Sequence, residues 1–206
     1  DSVFIRNSIN EVQSTIVEAF VLVVLIIFLF LRSWRTTLIP VLTIPISLIG
    51  TFFVMYLAGF TINILTLLAI VLSIGLVVDD AIVVMENIYN KVERGMAPLE
   101  AGFKGSQEIF FAVIATTVAL VAVFVPIVFL QGTTGRLFRE FSVVIAGAVT
   151  ISAFVALSFT PMLSTKLLTK NVTDNNSYKV TEPFFVWLTS AYRNTLLAFM
   201  RHRYIA

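Results

Sequence analysis

The feature that most constrains this fold is a series of five long apolar segments separated by short polar stretches. An α-helix needs about 20 apolar residues to cross the roughly 30 Å hydrocarbon core of a bilayer. Of the 206 residues, 58% are hydrophobic and only 13% are charged, which is more apolar surface than a soluble domain of this length can bury. The sequence therefore predicts an all-α membrane protein.

The five segments predict five transmembrane helices. They cover residues 15–31, 38–58, 62–88, 109–130 and 140–160. Ser8 and Glu11 form a Ser-x-x-Glu capping box, so residues 1–14 are expected to be a lead-in that caps the first helix. A tight turn at Gly59 is expected before the third helix, with Thr61 or Asn63 as its cap.

The polar stretches predict the connections between these helices. Residues 89–108 are expected to form a loop, in which Gly95 ends one helix and Pro98 begins a short surface helix. Residues 131–135 predict the turn before the fifth span, and Pro161 its end.

The last part of the chain is more polar. Residues 169–180 predict a linker, and residues 181–200 an amphipathic helix in the cytoplasmic interface of the membrane. The alternative for 181–200 is a soluble amphipathic helix that packs on a partner domain. Residues 201–206 are expected to begin a further span.

The distribution of Lys and Arg predicts the orientation. Eleven of the fourteen basic residues lie on one side of the five spans, and that side is expected to be cytoplasmic. The other three are Arg6, Arg136 and Arg139. The N-terminus is then on the outer side of the membrane and the C-terminus is cytoplasmic, and we expect the chain to be part of a longer protein.

Composition weighs against several functions. A net charge of +2, with no basic patch, does not favour a nucleic-acid partner. The chain has no cysteine and one histidine, so no metal site is predicted. No nucleophile–base pattern or phosphate-binding loop is present in the sequence, and we expect neither an enzyme nor a bound cofactor.

The third segment carries the candidate functional residues, the adjacent Asp79 and Asp80. A carboxylate deep in hydrocarbon costs at least about 2.5–3.5 kcal/mol, and two neighbours also repel each other. We expect at least one of them to hold its proton at neutral pH and to exchange it when its surroundings change. Since adjacent helical positions diverge by about 100°, the two side chains can address different neighbours. This pattern predicts a proton relay.

Two other interpretations of the pair remain open. The aspartates could stay protonated and only hydrogen-bond between helices, or their oxygens could bind sodium or another hard cation. Ser73 and Gly75 are predicted to support close helix packing rather than to act directly. Glu86 and Asn87 are interpreted as solvated residues at the end of the helix, and the alternative is that they line an exit path.

Residues 75–87, GLVVDDAIVVMEN, resemble the fourth transmembrane helix of resistance-nodulation-division (RND) efflux pumps. The resemblance covers almost the whole chain. Residues 29–35 and on through Pro40 and Pro45 resemble the second and third helices. Residues 124–126 with 132–135 resemble the fifth helix and its outer turn, and 160–161 the end of the sixth. Residues 181–200 have a counterpart on the cytoplasmic surface of these pumps.

The resemblance implies half of an RND helical bundle, with Asp79 and Asp80 as proton-relay residues and protons as the coupling ion. An aspartate at the second position is typical of the branch that exports hydrophobic and amphiphilic compounds. It further implies a homotrimer in the Gram-negative inner membrane, with a periplasmic adaptor and an outer-membrane channel. The cationic relay partner lies in the other half of such pumps, so we expect this segment alone to be inactive.

Two functions of other classes stay open. One is a lipid- or sterol-binding membrane module, since related membrane domains bind such molecules without pumping. The other is a cation-coupled transporter of a different substrate class. A titratable pair in mid-span favours neither lipid binding nor sterol binding, because neither requires a proton to be exchanged.

Overall fold

The computed structural model describes residues 2–31, 33–168, 187, 189–197 and 199, without the side chains of residues 2–9 and Thr133. The chain divides into two units, residues 1–170 and 171–206. The first unit contains five helices: α1 (Ser2–Leu31), α2 (Trp34–Leu57), α3 (Ile64–Glu93), α4 (Pro98–Val128) and α5 (Gly132–Leu167). All five are long and apolar enough to span a membrane, and the described residues include no strand. The predicted all-α membrane fold is confirmed.

Helices α3 and α5 form the centre of the first unit. α3 packs against each of the other four helices, and α5 packs against α2, α3 and α4. The helices differ in how much of their most apolar 18-residue stretch is buried. In α3, 56% of this stretch is buried and in α5 50%, but only 6% in α1 and 11% in α4. The outer faces of α1 and α4 are therefore apolar and open, as suits contact with lipid.

Two contacts show that α3 and α5 run parallel. Asn63, just before α3, donates from Nδ2 to Glu140 Oε2 on α5 at 2.6 Å. Further along both helices, Ser152 Oγ donates to the carbonyl oxygen of Val77 at 2.8 Å. The two contacts follow the same order along both helices, so the helices run in the same direction. Residues of α3 and α5 that are far apart in sequence therefore lie at the same depth in the bundle.

The N-cap of α3 is Asn63, which is one of the two predicted candidates. Its Oδ1 accepts hydrogen bonds from the backbone N–H groups of Leu65 and Thr66 at 2.9 and 3.0 Å. Thr66 Oγ1 in turn accepts from the Asn63 N–H at 2.8 Å, which completes a capping box. Gly59 supplies the preceding turn at a φ of 68°, a conformation that glycine adopts at little cost.

Glycine allows α4 to approach α3 closely. A Cβ at Gly105 would lie 2.8 Å from Cγ1 and 3.1 Å from Cα of Ile88. A similar approach joins α2 to α5, where a Cβ at Gly50 would lie 2.8 Å from Ile151 Cγ2. Small residues at such crossings are typical of membrane helices, whose association depends on tight packing.

The beginnings of the first two helices differ from the prediction. α1 already includes residues 2–14, so Ser8 and Glu11 do not begin it. Residues 2–7 contain neither proline nor glycine, and nothing there interrupts the helix before the capping-box pattern. α2 begins at Trp34 rather than at residue 38, with Ser33 as its N-cap residue.

The loop predicted over residues 89–108 is much shorter in the structure. α3 continues to Glu93, α4 begins at Pro98, and only residues 94–97 are outside a helix. Gly95 does lie in this turn, at a φ of 92°. Pro98 begins α4 itself rather than a separate surface helix, because no further proline follows before Pro126 and the helix continues through Gly102 and Gly105.

The bounds of α5 also differ from the prediction. The helix begins at Gly132, inside the turn expected over residues 131–135, and Gly132 has a φ of 83°. It then continues past Pro161 to Leu167. Proline removes one backbone N–H but need not end a membrane helix, where hydroxyl groups and neighbouring helices satisfy the freed carbonyls.

The second unit is described only at residues 187, 189–197 and 199, all of which are helical. This agrees with part of the helix expected over 181–200. Trp187, Tyr192 and Phe199 are exposed, and their location at a membrane surface stays a prediction. The predicted linker over 169–180, the rest of 181–200 and the span expected from 201 lie outside the described residues.

Candidate functional site

The site lies at the middle of α3. Asp79 and Asp80 are residues 16 and 17 of this 30-residue helix, and it begins at an Asn63 cap that is fixed to α5. The residues before and after the pair are apolar. In each turn of the helix, some of these apolar residues are buried against the other helices. The fold therefore holds two carboxyl groups near mid-span in a rigid, central helix.

The two aspartates occupy different environments. Asp80 is buried, with 8% of its surface exposed, whereas Asp79 is exposed in this unit. Adjacent residues on a helix point about 100° apart, so one carboxyl faces the packed interior and the other does not. The predicted divergence of the two side chains is therefore present.

Asp80 faces α5 at Ser152. The Ser152 side chain is 2% exposed, lies beside the Asp80 carboxyl and donates its hydroxyl proton to the Val77 carbonyl. A hydroxyl has only one proton to donate but can accept as well. While Ser152 donates to Val77, it can only accept a hydrogen bond from Asp80, and that requires Asp80 to carry a proton.

One oxygen of Asp80 has no hydrogen-bond partner. Its Oδ2 is buried and unpaired among the residues that the structure describes. A buried polar atom without a partner costs about 1–3 kcal/mol, and more when it is charged. No Lys or Arg occurs between residues 36 and 90 of the sequence, or between 140 and 165, so the neighbouring parts of α2, α3 and α5 supply no cation.

Asp79 belongs to an exposed stripe along α3. Its members are spaced three or four residues apart: Leu68, Leu72, Gly75, Asp79, Val83 and Glu86. Such spacing places them on one face of a helix, and this face is apolar except for Asp79 and Glu86. We call it the Asp79 face; no described helix of this unit covers it.

Ser73 and Gly75 lie on different sides of α3. Ser73 is fully buried, and its hydroxyl donates to the Ala69 carbonyl at 2.7 Å, so it fits within the packed side of the helix. Gly75 is on the Asp79 face, with no heavy atom within 4 Å of the position of a Cβ. The close packing predicted at Gly75 does not occur within the described residues.

The end of α3 is bound to α4. Asn87 Nδ2 donates to the Gly105 carbonyl at 2.8 Å, and Lys91 Nζ forms a 2.8 Å ion pair with Glu108 Oε1. Asn87 is half-buried and hydrogen-bonded to α4, so it is not fully solvated, whereas Glu86 is exposed as expected. These contacts fix the second half of α3 independently of the acidic pair.

Among the described residues, several carboxylates do not come together to form a cation site. In the part of the chain that the structure describes, no three His, Cys, Asp or Glu side chains converge as metal ligands do. Asp79 and Asp80 also diverge around the helix, so they do not present their oxygens to one ion from the same side.

Sequence reasoning did not identify Ser152. The residue lies 72 positions after Asp80, in an apolar segment that also contains the unremarkable Ser158. A serine in such a segment commonly bonds only to its own helix, as Ser158 does to the Phe154 carbonyl. The parallel register of α3 and α5, which the sequence does not state, distinguishes the two serines.

Comparison with known proteins agrees with this architecture. A family model described as the AcrB/AcrD/AcrF family matches residues 1–206. Proteins named multidrug resistance protein MdtC are 51% identical in Pectobacterium atrosepticum and Klebsiella pneumoniae and 49% identical in Yersinia enterocolitica, each over 164 residues. These alignments cover 80% of this chain and 16% of each relative, so the chain spans about a sixth of their length.

Proposed function

Because the chain belongs to the AcrB/AcrD/AcrF family, whose RND relationship the sequence analysis predicted, we propose that it is the proton-translocating transmembrane half of a multidrug efflux antiporter. The observation that supports this most directly is the unequal placement of two adjacent aspartates. Asp80 is buried beside Ser152, and Asp79 lies on an open helix face at the same depth. A carrier of protons needs such a titratable group in contact with an element that can respond to it.

Ser152 couples the protonation of Asp80 to the contact between α3 and α5. In the protonated form, Asp80 donates to Ser152, and Ser152 donates to the Val77 carbonyl. In the ionised form, the Asp80 carboxylate requires a donor, and the nearby hydroxyl can satisfy it only by turning away from Val77. Loss of the proton then removes one of the hydrogen bonds that join the two central helices.

Asp79 requires a partner on its open face. An unpaired carboxylate at mid-span costs at least about 2.5–3.5 kcal/mol, and the neighbouring segments of this chain supply no basic residue. We propose that the remaining half of the pump covers the Asp79 face and supplies a Lys or Arg there. The apolar residues of the face fit contact with other transmembrane helices.

The proposal places this segment in a homotrimer in the inner membrane of a Gram-negative bacterium, with a periplasmic N-terminus and a cytoplasmic C-terminus. The partners are the bilayer, a periplasmic adaptor and an outer-membrane channel. The exported compounds are hydrophobic or amphiphilic, and protons are the coupling ion. The relatives' name, multidrug resistance protein, supports the function of the whole protein; the isolated segment is inactive in this proposal because it lacks the cationic partner.

The proposal is tested by export of a lipophilic dye driven by a proton gradient. Cells carry the full-length protein that contains this segment, either unchanged or with Asp79→Asn or Asp80→Asn, at matched expression and assembly. Both substitutions are expected to abolish export. Glu86→Gln is the matched control, since it removes a carboxyl from the same face outside the centre of the span.

Normal export by both aspartate variants would contradict a proton relay and would favour a structural role for the pair. Export that follows a sodium gradient and not a proton gradient would instead support the cation-coupled alternative. Sterol or lipid binding without export from the unchanged protein would support the membrane-module alternative.

A further inference from the structure

An apolar groove of about 330 Å³ opens between α2, α4 and α5. Its volume lies within the range of about 300–1,000 Å³ that is typical of ligand pockets. The lining includes Val54 of α2, Phe124 and Val128 of α4, and Ala146, Gly147 and Thr150 of α5. The groove thus has two apolar walls and a floor of small residues.

The groove is separate from the acidic pair. Its floor is the side of α5 that includes Thr150, which lies about 200° around the helix from Ser152. Ser152 faces α3 and Asp80, so the groove opens on the opposite side of α5. Neither the proton relay nor the Asp79 face explains a groove at this position.

Two arginines precede the groove-lining residues of α5 by about one and two helical turns. Arg139 precedes Val143, Ala146 and Thr150 at helical spacings of four, seven and eleven residues, so all four share one face of α5. Arg136 is one turn earlier, and both arginines are exposed. They lie in the second and third turns of α5, near the end of the span, where lipid headgroups are expected.

We propose that this groove binds an acyl chain of an anionic phospholipid, with the lipid phosphate paired to Arg136 and Arg139. Acyl chains are the apolar ligands that a membrane supplies, and a guanidinium group binds phosphate through two parallel hydrogen bonds. A free phosphate ion would not fill the apolar groove, and a cationic amphiphile would be repelled by the arginines. The arrangement therefore matches a ligand with an apolar tail and an anionic head.

The test uses phospholipids with a photoactivatable diazirine in the acyl chain. Thr150 lies about 16 Å along the helix from Arg139, so the diazirine is placed in the distal half of the chain. The full-length protein is reconstituted in phosphatidylcholine nanodiscs with trace phosphatidylglycerol or phosphatidylcholine probe, and crosslinked peptides are mapped. We expect the phosphatidylglycerol probe to label residues 142–151 and 124–128 several-fold more than the phosphatidylcholine probe does.

Substitutions separate the tail site from the headgroup site. Ala146→Phe fills the floor of the groove and is expected to reduce labelling by both probes several-fold; Ala115→Phe, on an exposed part of α4 outside the groove, is its matched control. Arg136→Gln with Arg139→Gln is expected to remove the preference for phosphatidylglycerol and to leave phosphatidylcholine labelling unchanged. Lys166→Gln removes a charge at the other end of α5 and should have no effect.

Equal labelling by the two probes in the unchanged protein would overturn the proposal, as would full labelling in an assembled Ala146→Phe variant. If Ala146→Phe does not assemble, unlabelled phosphatidylglycerol is added to the unchanged protein as a competitor. Loss of groove labelling with this competitor, but not with phosphatidylcholine, supports the site; equal competition by both lipids contradicts it. These outcomes do not depend on proton coupling.

Discussion

The hydroxyl of Ser152 on α5 donates a 2.8 Å hydrogen bond to the carbonyl oxygen of Val77 on α3, three residues before Asp80. Ser152 also lies beside the Asp80 carboxyl, so one hydroxyl adjoins both the backbone of α3 and its buried acid. The central helices are thus joined at the depth where a proton is proposed to be exchanged. In the proposed relay, a change in the protonation of Asp80 would alter this contact with α5.

Ser152→Ala is expected to lower proton-driven export several-fold with little loss of stability. Hydrogen bonds between membrane helices contribute on average only about 0.6 kcal/mol, so the protein should still assemble. The coupling between Asp80 and α5 is lost, however, because alanine neither accepts from Asp80 nor donates to Val77. Dye export and thermal stability of the full-length protein are measured together.

Ser158→Ala is the matched control for this prediction. Ser158 is on the same helix, and its hydroxyl donates to the Phe154 carbonyl four residues earlier, a bond within α5 alone. Its removal should leave export unchanged. Equal export by the Ser152→Ala and Ser158→Ala variants would show that the hydroxyl between α3 and α5 has no part in coupling.

The position of Ser152 beside Asp80 could not be predicted from the sequence. Apolar length predicted the five helices, and a lone acidic pair in a long apolar segment predicted the site, because both signals are local. Which aspartate is buried depends instead on how α3 rotates against α5. Packing along the whole helix sets that rotation. It also sets the contact between Asp80 and Ser152, which lies 72 positions later in the sequence.

Helix ends were predicted less well for a related reason. Ser8, Pro98 and Pro161 were interpreted from local preferences for starting or ending a helix, but α1 and α5 continue through Ser8 and Pro161. At Pro161, ending the helix in the membrane would expose backbone groups that have no water to bind, so continuing it costs less. α1 continues through Ser8 because no proline or glycine interrupts the residues before it. The cap of α3 is one of the two predicted candidates, Asn63 rather than Thr61, and both follow a turn that a glycine already fixes.

The Asp79 face is expected to be covered in the full-length protein. A cysteine at Gly75 in a cysteine-free background should react slowly with a lipophilic maleimide, since helices from the remaining half would shield it. Ala115→Cys, on the exposed side of α4, should react quickly. Equal rates at the two positions would mean that the Asp79 face meets lipid, and the proposed cationic partner of Asp79 would lose its support.

Gly105→Ala is expected to destabilise the packing of α3 on α4. The added methyl group would lie 2.8 Å from Ile88 Cγ1 and 3.1 Å from its Cα, too close for a non-bonded contact. Overpacking typically costs about 1–3 kcal/mol, and alanine's better helix propensity offsets up to about 1 kcal/mol of this cost. We expect a lower thermal midpoint than for Ser106→Ala at the next position, whose hydroxyl bonds only within α4. Equal midpoints would indicate that α4 can move away from Ile88 freely.

The cap of α3 provides the last prediction, because Asn63 has two functions that different substitutions separate. Asn63→Ala removes the acceptor for the Leu65 and Thr66 N–H groups as well as the donor to Glu140, and loss of a cap typically costs about 0.5–2 kcal/mol. Asn63→Asp keeps the acceptor but replaces the donor with a carboxylate that faces Glu140. We expect Asn63→Asp to be destabilising with Glu140 present and much less so in combination with Glu140→Gln, as measured by thermal unfolding of the full-length protein. If Glu140→Gln does not rescue Asn63→Asp, the contact between the start of α3 and α5 does not contribute to stability, and the cap alone accounts for the cost of Asn63→Ala.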